Sequence, residues 1–454
     1  MIVFEMYPDS GGQLYRVLAS GGIPTPVTTL DQSQGEQRHL WPSFLPDATH
    51  FLYSAIARAG GGGVYIAALD SKEVNPLLNV QSNALYASGY LLYGANGALM
   101  AQSFDAQNLR LEGERFRVAE HVLYNPVIWR TVFSASETGV LAYRGGAVVT
   151  TTQLTWFDRT GKPLGSIGDP GEQRGVNLSP AATKIAMNRP DAQTDKYDVW
   201  LMDVSRGTNS RLTTHPSHDA DPVWSPDGAR IVFASTRDDP GEGFDNLYMK
   251  MSNGSSDEQP MLKFDKPQIH QHPHDWSVDG RYILFERSDP KTTSGKDLWI
   301  VPVSAKPTPF PLLQTEFSEL AGHFSPDGQF VTYTSNETGR FEVYVRSFPG
   351  SVEKWQISAS GGAHPRWRRD GKEIFYISPD GALMVVGVNT KSRFEAGSPS
   401  KLFDVPIRLY LPENPDPYDV APDGQRFLVM ARDEAFSASI TVTVDWTAAR
   451  STKR

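Results

Sequence analysis

Eight of the ten histidines stand one to nine residues upstream of a position that recurs along the chain as an aromatic or aliphatic residue: His39, His215, His218, His270, His272, His274, His323 and His364. The stretch IHQHPHDW (Ile269 to Trp276) alone presents three imidazoles at alternating positions. Neutral imidazoles beside a carboxylate offer the N and O donors that suit zinc, manganese or nickel around an open site. His218, His272, His274, His323 and His364 are the expected metal donors, with Asp219, Asp221 and Asp275 as the neighbouring acids. Their offsets differ, from one residue before the recurring position for His323 to six for His218. The competing reading is therefore a set of separate, hydrogen-bonded loop histidines. Arg366 and Arg368 flank Trp367 in PRWRRDGK and could hold an anionic ligand, whereas Arg369 and Lys372 of the same cluster belong to a turn. The acids of STRDDPGEGFDN (Asp238, Asp239, Glu242, Asp245) read as a solvated hairpin with a weak case for calcium. GxSxG, HExxH and EF-hand patterns are absent, which removes the standard serine-hydrolase, zincin and calcium-loop readings.

What would position such residues is a repeat. HFSPDGQFVTYTS (His323 to Ser335) has a near copy, VWSPDGARIVFAS (Val223 to Ser235). The recurring anchors are Phe44, Tyr86, Phe133, Leu178, Trp224, Trp276, Phe324, Trp367 and Val420, in steps of 42, 47, 45, 46, 52, 48, 43 and 53 residues. Each unit reads as a short strand, a turn and an alternating strand. Pro226, Pro326 and Pro422 preset φ at the first corner of the turn, Asp227, Asp327 and Asp423 can bond back to the backbone, and Gly228, Gly328 and Gly424 accept positive φ. A third strand (DVWLMDV, NLYMKMS, DLWIVPV, EVYVRSF, ALMVVGV) and a weaker fourth follow. Four antiparallel strands per unit of this length make a β-propeller blade, which buries both faces only by stacking on its neighbours. In a propeller the first strand of each blade lines the central channel, so the residues just before each anchor converge on one mouth. The anchors Trp224, Trp276 and Trp367 are expected in blade-to-blade core, and the glycines of AGGGGVY, with the wrong spacing for a phosphate loop, at a loop tip.

Composition narrows the partners. A net charge of −9 and a pI near 5.6 argue against nucleic acid. No segment carries the run of about 18 apolar residues a membrane helix needs. The start, MIVFEMYPDSGG, reads as a strand and not as an export signal, and zero cysteines exclude disulfides and thiol chemistry.

The SPDG hairpins, the DVWLMDV-type strands and TQLTWFDRTGKPLGSIG resemble the TolB-like, WD40-like (PD40) β-propellers. They are especially similar to the propeller region that follows the kinase domain and membrane span of many bacterial serine/threonine kinases, although HRD, DFG and the kinase glycine loop are missing here. The resemblance implies an all-β chain of four-stranded blades. We expect a six-bladed TolB-like ring at 151–450, its last blade completed by a strand around Leu164 to Gly168, and a partial propeller of three to four blades at 1–150. One ring of eight to ten blades is the alternative. By function the expectation is a non-catalytic sensor or scaffold that binds a protein, peptide or glycan at its channel mouth. A metal-dependent polysaccharide lyase or hydrolase, or the accessory propeller of a kinase or peptidase, are the alternatives. A divalent metal at the mouth is the cofactor these expectations allow. Location follows from the resemblance: extracytoplasmic if the natural N-terminus lies upstream.

Overall fold

The computed structural model describes residues 1–5, 12–57, 61–125, 128–145, 151–191, 196–238, 245–264, 269–288, 295–350, 353–391, 393–407, 415–432 and 440–447. These residues are strands and turns with a 3-10 turn at Gln32–Gln34, and no helix among them is long and apolar enough to cross a membrane. The chain divides into two compact units, 1–149 with 435–454, and 150–434.

The second unit is a six-bladed propeller. Five blades each open on an inner strand: Arg174–Leu178, Asp219–Trp224, His270–Trp276, Glu319–Phe324 and Ala363–Trp367 start blades 1 to 5. Each continues outward by antiparallel pairing with the next strands in sequence. Blade 6 is built from both ends of the unit: Tyr418–Val420 and Arg426–Arg432 pair with Thr151–Asp158, and Pro163–Glu172 lies outermost. The inner strands touch in cyclic order and that of blade 6 returns to that of blade 1, so the ring closes at six and not at eight to ten. Two early strands complete the last blade, where the sequence pointed only to the one near Leu164.

Stability is spread over six cores, one between each pair of adjacent blades. Ala186, Val199 and Leu201 of blade 1 meet Trp224, Ile231, Phe233 and Tyr248 of blade 2. Val232 and Leu247 of blade 2 meet Trp276, Ile283 and Phe285 of blade 3, and the pattern repeats until Leu154 and Leu428 of blade 6 meet Leu178 and Ile185 of blade 1. Each sheet is apolar on both faces and is covered only by its neighbours, which is why a lone blade of this sequence would not fold. The anchor tryptophans lie in these seams as expected, and Trp224 Nε1 donates to the Asn177 carbonyl of blade 1 at 3.0 Å. The SPDG turns work as their chemistry requires. Asp227, Asp327 and Asp423 accept from the backbone N–H two residues on at 2.9 to 3.0 Å, and Gly228, Gly328 and Gly424 sit at φ 66 to 70°.

In the first unit two four-stranded sheets, Glu36–Phe44 to Val74–Leu78 and Ala84–Ala87 to Arg110–Glu120, follow a three-stranded sheet that begins at Ile2–Glu5. A further sheet joins Phe133–Ala135 and Val140–Arg144 to Ile440–Val444, with Trp446 buried beside Leu92, Leu99 and Leu141. The strand Ile440–Val444, although inside the 151–450 span expected for the ring, therefore closes a sheet of the first unit. Gly62 and Gly63 also differ from the expected loop tip, because they open the strand Gly62–Ala68. A Cβ on either would meet a neighbouring strand's carbonyl oxygen, Ala55 O at 2.1 Å or Leu78 O at 2.3 Å.

Candidate functional site

At the N-terminal ends of the inner strands the ring encloses a cavity of about 320 Å³. All six blades contribute to its wall: Arg174 and Tyr197, His218 and Asp221, then His272, His274, Glu286 and Lys296, then Leu320 and Ala321, Arg366, and Asp416. The inner strands reach it through a repeated irregularity. Their pairing shifts register between Ala220 and Val223, Leu320 and His323, and Ala363 and Arg366. Within those shifts Asp221, Ala321 and His364 take left-handed φ of 48 to 55°, three residues before the anchor. An inner-strand bulge re-aims side chains that a regular strand would send alternately into the seams.

Two polar networks result. In the first, His272 Nδ1 is 2.8 Å from Asp221 Oδ2, and Asp221 is held in turn by Asn188, whose Nδ2 donates to Oδ1 at 3.3 Å and whose Oδ1 accepts from the Asp221 N–H at 3.0 Å. Asp245 Oδ2 lies 3.0 Å from His270 Nδ1 and 3.7 Å from His272 Nε2. Burial works against a charged His272, but the hydrogen bond and charge of Asp221, with Asp245 and Glu286 behind, raise it to about 9. His274 faces Glu286 at 3.5 Å, and Lys296 Nζ closes on the other Glu286 oxygen at 3.0 Å. Although buried, Glu286 is held far below the ordinary carboxylate range by Lys296 and the two imidazoles.

The second network centres on Asp416. Its Oδ2 accepts from Arg366 Nη2 at 2.8 Å, its Oδ1 lies 2.9 Å from His364 Nδ1, and His323 Nε2 stands 3.3 Å away. Burial opposes the charge, yet Arg366 and the two imidazoles hold the Asp416 carboxyl well below its usual range. Burial and the Arg366 guanidinium push His323 down to about 4, so it is neutral, and its Nδ1 accepts from Arg366 Nη1 at 3.3 Å.

The residues expected from sequence are thus sorted into different places. His218, Asp221, His272, His274 and Arg366 line one cavity. His218 does so as a neutral acceptor, with Tyr197 N–H on its Nδ1 at 3.3 Å and its imidazolium disfavoured by burial. His323 and His364 are buried behind the wall, bound to Asp416. The five histidines proposed as one metal set therefore stand against three different carboxylates or, for His218, a backbone amide. Asp219 is fully buried and takes Arg237 Nη2 on both oxygens at 3.0 and 3.1 Å, inside blade 2. Asp275 latches two blades, accepting from the N–H groups of Trp276 and of Phe324 in blade 4 at 2.8 Å, and burial pushes its carboxyl up to about 7. Arg368 follows the anchor and pairs with Glu373 at 3.0 Å and Asp370 at 3.2 Å, away from the cavity wall.

Asp416, Glu286, Lys296 and Tyr197 were not anticipated. Asp416 was within reach of the same reasoning, because it precedes the anchor Val420 by four residues, the offset of His272 from Trp276. Asp245, read as part of a solvated hairpin, is instead buried, while Asp239 and Glu242 of that stretch lie outside the described residues. Among the described residues, Asp245, His270 and His272 form the group that could hold a metal ion, with one donor atom from each lying within 4.8 Å of the others.

No family profile matches the chain. An uncharacterized protein of Agrobacterium fabrum is 24% identical over 195 residues, covering 40% of this chain, and the chain spans 62% of that relative's length. Among solved structures, a candidate TolB from Agrobacterium tumefaciens is 18% identical, covers 62% of this chain and 97% of its own, and has a TM-score of 0.49. TolB from Acinetobacter baumannii is 15% identical over 79% of this chain and 80% of its own, with a TM-score of 0.40. An oligogalacturonate lyase in complex with manganese is 12% identical over 87% and 88%, with a TM-score of 0.33. The closed ring of six four-stranded antiparallel blades is read from the strand pairing of the chain itself.

Proposed function

We propose that the ring is a non-catalytic recognition module, a sensor or scaffold that takes a polar segment of a protein, peptide or glycan into the mouth of its channel. The observation that carries this reading is the cavity wall, in which Arg174, Lys296 and Arg366 stand beside Asp221, Glu286 and Asp416, contributed by five different blades. Most of these groups are fixed by one another before any ligand arrives, so binding would cost little reorganisation. A volume of about 320 Å³ fits one or two side chains or one sugar unit, at the lower end of ligand pockets. The same mouth would serve an accessory propeller of a kinase or peptidase, with the catalytic domain as partner.

A metal-dependent polysaccharide lyase or hydrolase is the second reading, favoured by the Asp245, His270 and His272 cluster beside the cavity. One experiment separates the two. Labelled hexapeptide pools of either net charge and labelled oligogalacturonates are titrated against the chain by fluorescence anisotropy, with and without manganese, and the glycan is then assayed for unsaturated product. Binding that is lost in Lys296→Ala and His218→Ala, without product, is the expected result. Product formation would overturn the non-catalytic reading in favour of the lyase. Failure of every probe to bind, or binding indifferent to both substitutions, would overturn recognition at this mouth.

A further inference from the structure

We propose that Asp245, His270 and His272 form a binding site for one divalent first-row transition metal at the rim of the channel, with Asp221 positioning His272. The site is independent of what the cavity recognises. Its geometry starts from strand periodicity. His270 and His272 alternate on the inner strand of blade 3, so their rings project on the same side, 6.1 Å apart between centroids and within 11° of parallel. Asp245 comes from blade 2, directly before the strand Asn246–Met251. It is fixed there by Gln271 of blade 3, whose Nε2 donates to the Asp245 carbonyl at 3.3 Å and to Asn246 Oδ1 at 2.9 Å.

Two ligand atoms of a tetrahedral zinc ion, each about 2.1 Å from the metal, stand about 3.4 Å apart. The distances from Asp245 Oδ2 to His270 Nδ1, 3.0 Å, and to His272 Nε2, 3.7 Å, bracket that value. The widest separation within the set, inside 4.8 Å, closes by small side-chain rotations. The orienting group is in place as well. Metal-binding histidines usually give their second ring nitrogen to a carboxylate, and His272 Nδ1 has Asp221 Oδ2 at 2.8 Å, itself braced by Asn188. Asp245 is buried, whereas the side chains of His270 and His272 are 36% and 30% exposed, which leaves the solvent side of the ion open for water or a ligand atom. Two imidazoles and one carboxylate suit zinc, nickel, cobalt or iron better than magnesium or calcium. The other histidines expected as donors have partners of their own: His274 has Glu286, His323 and His364 have Asp416, and His218 takes the Tyr197 N–H.

The test uses the full chain freed of metal by chelation. Isothermal titration with zinc, and cobalt absorption spectra as a direct report of coordination, are read for the wild type and for His270→Ala, Asp245→Asn, Asp221→Asn and His364→Gln. The expected result is one zinc per chain and cobalt d–d bands, both abolished by His270→Ala and Asp245→Asn. Asp221→Asn should weaken zinc by about 10–100-fold, and His364→Gln should leave it unchanged. His270 is the least buried of the set, so His270→Ala retains the fold; circular dichroism confirms it. Because the ion would join blades 2 and 3, saturating zinc also raises the unfolding temperature of the wild type but not of His270→Ala. No zinc binding by the wild type, or zinc binding equal in wild type and His270→Ala, overturns the proposal.

Discussion

Replacing Asp416 by asparagine removes one charge from the point where three blades meet and keeps nearly the same shape. Asp416 precedes the inner strand of blade 6, Arg366 and His364 belong to blade 5 and His323 to blade 4. Without the carboxylate, the buried Arg366 guanidinium keeps Asp419, 3.9 Å from its Nε, and the more distant Asp275 as counter-charges. Breaking a buried pair by removing one partner costs about 3–5 kcal/mol, because the remaining charge stays desolvated. At roughly 2–4 °C per kcal/mol for a unit of this size, the transition of the ring should fall by about 6–20 °C in differential scanning calorimetry. Exchange protection at Ala363–Trp367 and Tyr418–Val420 gives a local readout. The double variant Arg366→Met with Asp416→Leu removes both charges and should recover most of the loss, since apolar replacement of a whole buried pair is often neutral. The pH dependence has a definite sign. The folded carboxyl titrates well below its unfolded value, so its contribution is complete above about pH 4 and is lost as pH falls through the folded value. The gap between wild type and Asp416→Asn should therefore be level from pH 5 to 8, within about 1 kcal/mol, and narrow in acid. A cost under about 1 kcal/mol, or a double variant less stable than the single one, would refute the reasoning.

Three further outcomes follow from the blades. Glu319 is buried, takes Thr315 Oγ1 at 2.6 Å, and is pushed up to about 7 by burial, with Asp297 and Glu337 adding to the shift against Thr315. The unfolded chain then loses this proton first, so stability falls as pH rises from about 4.5 to 7, by up to about 3 kcal/mol; Glu319→Gln should flatten that slope in urea titrations, and an unchanged slope counts against it. Gly328→Ala meets no atom within 4 Å, so only its φ of 70° is strained, and a loss of about 1–2 kcal/mol is expected, with a loss near zero contradicting the turn assignment. Trp224→Phe removes the bond to the Asn177 carbonyl and part of the seam between blades 1 and 2, costing about 1–3 kcal/mol. In combination with Gly328→Ala, two blades away, the two losses should add within about 0.5 kcal/mol.

The blades were legible because their signals are local. Proline, aspartate and glycine at fixed places in SPDG specify one turn, and period-2 alternation on either side specifies the strands, whatever lies elsewhere in the chain. How the ring closes was less legible. Thr151–Asp158 and Ile440–Val444 are both alternating apolar strands, and each is a suitable partner for the last blade by pattern alone. Side-chain volume across the seam decides between them. Leu154 fills the seam toward Ile185 and Met187 of blade 1, while Phe157 stacks on Phe403 of blade 5. Ile440, Val442 and Val444 stay more than half exposed on one face of their sheet in the first unit.

The site was half legible, and the missing half has one physical cause. Counting back from the anchor locates a residue along an inner strand, but the bulges at Asp221, Ala321 and His364 decide which side it faces, and a left-handed aspartate or histidine carries no local marker. Histidines at unequal offsets were accordingly gathered into one set, although they answer to separate partners. Carboxylates would have been the better guide. Asp245 stands two residues before Leu247, as Tyr197 does before Val199 and Lys296 before Leu298; Tyr197 and Lys296 line the cavity, and Asp245 lies against its His272. That register was visible in the repeat. It places an acid against His270 and His272 of blade 3. Asp275 and Asp419, each one residue before its anchor, latch adjacent blades, whereas Asp416 both holds Arg366 across a seam and lines the mouth with Asp221 and Glu286. A substitution at those positions therefore tests recognition only when ring stability is measured beside it.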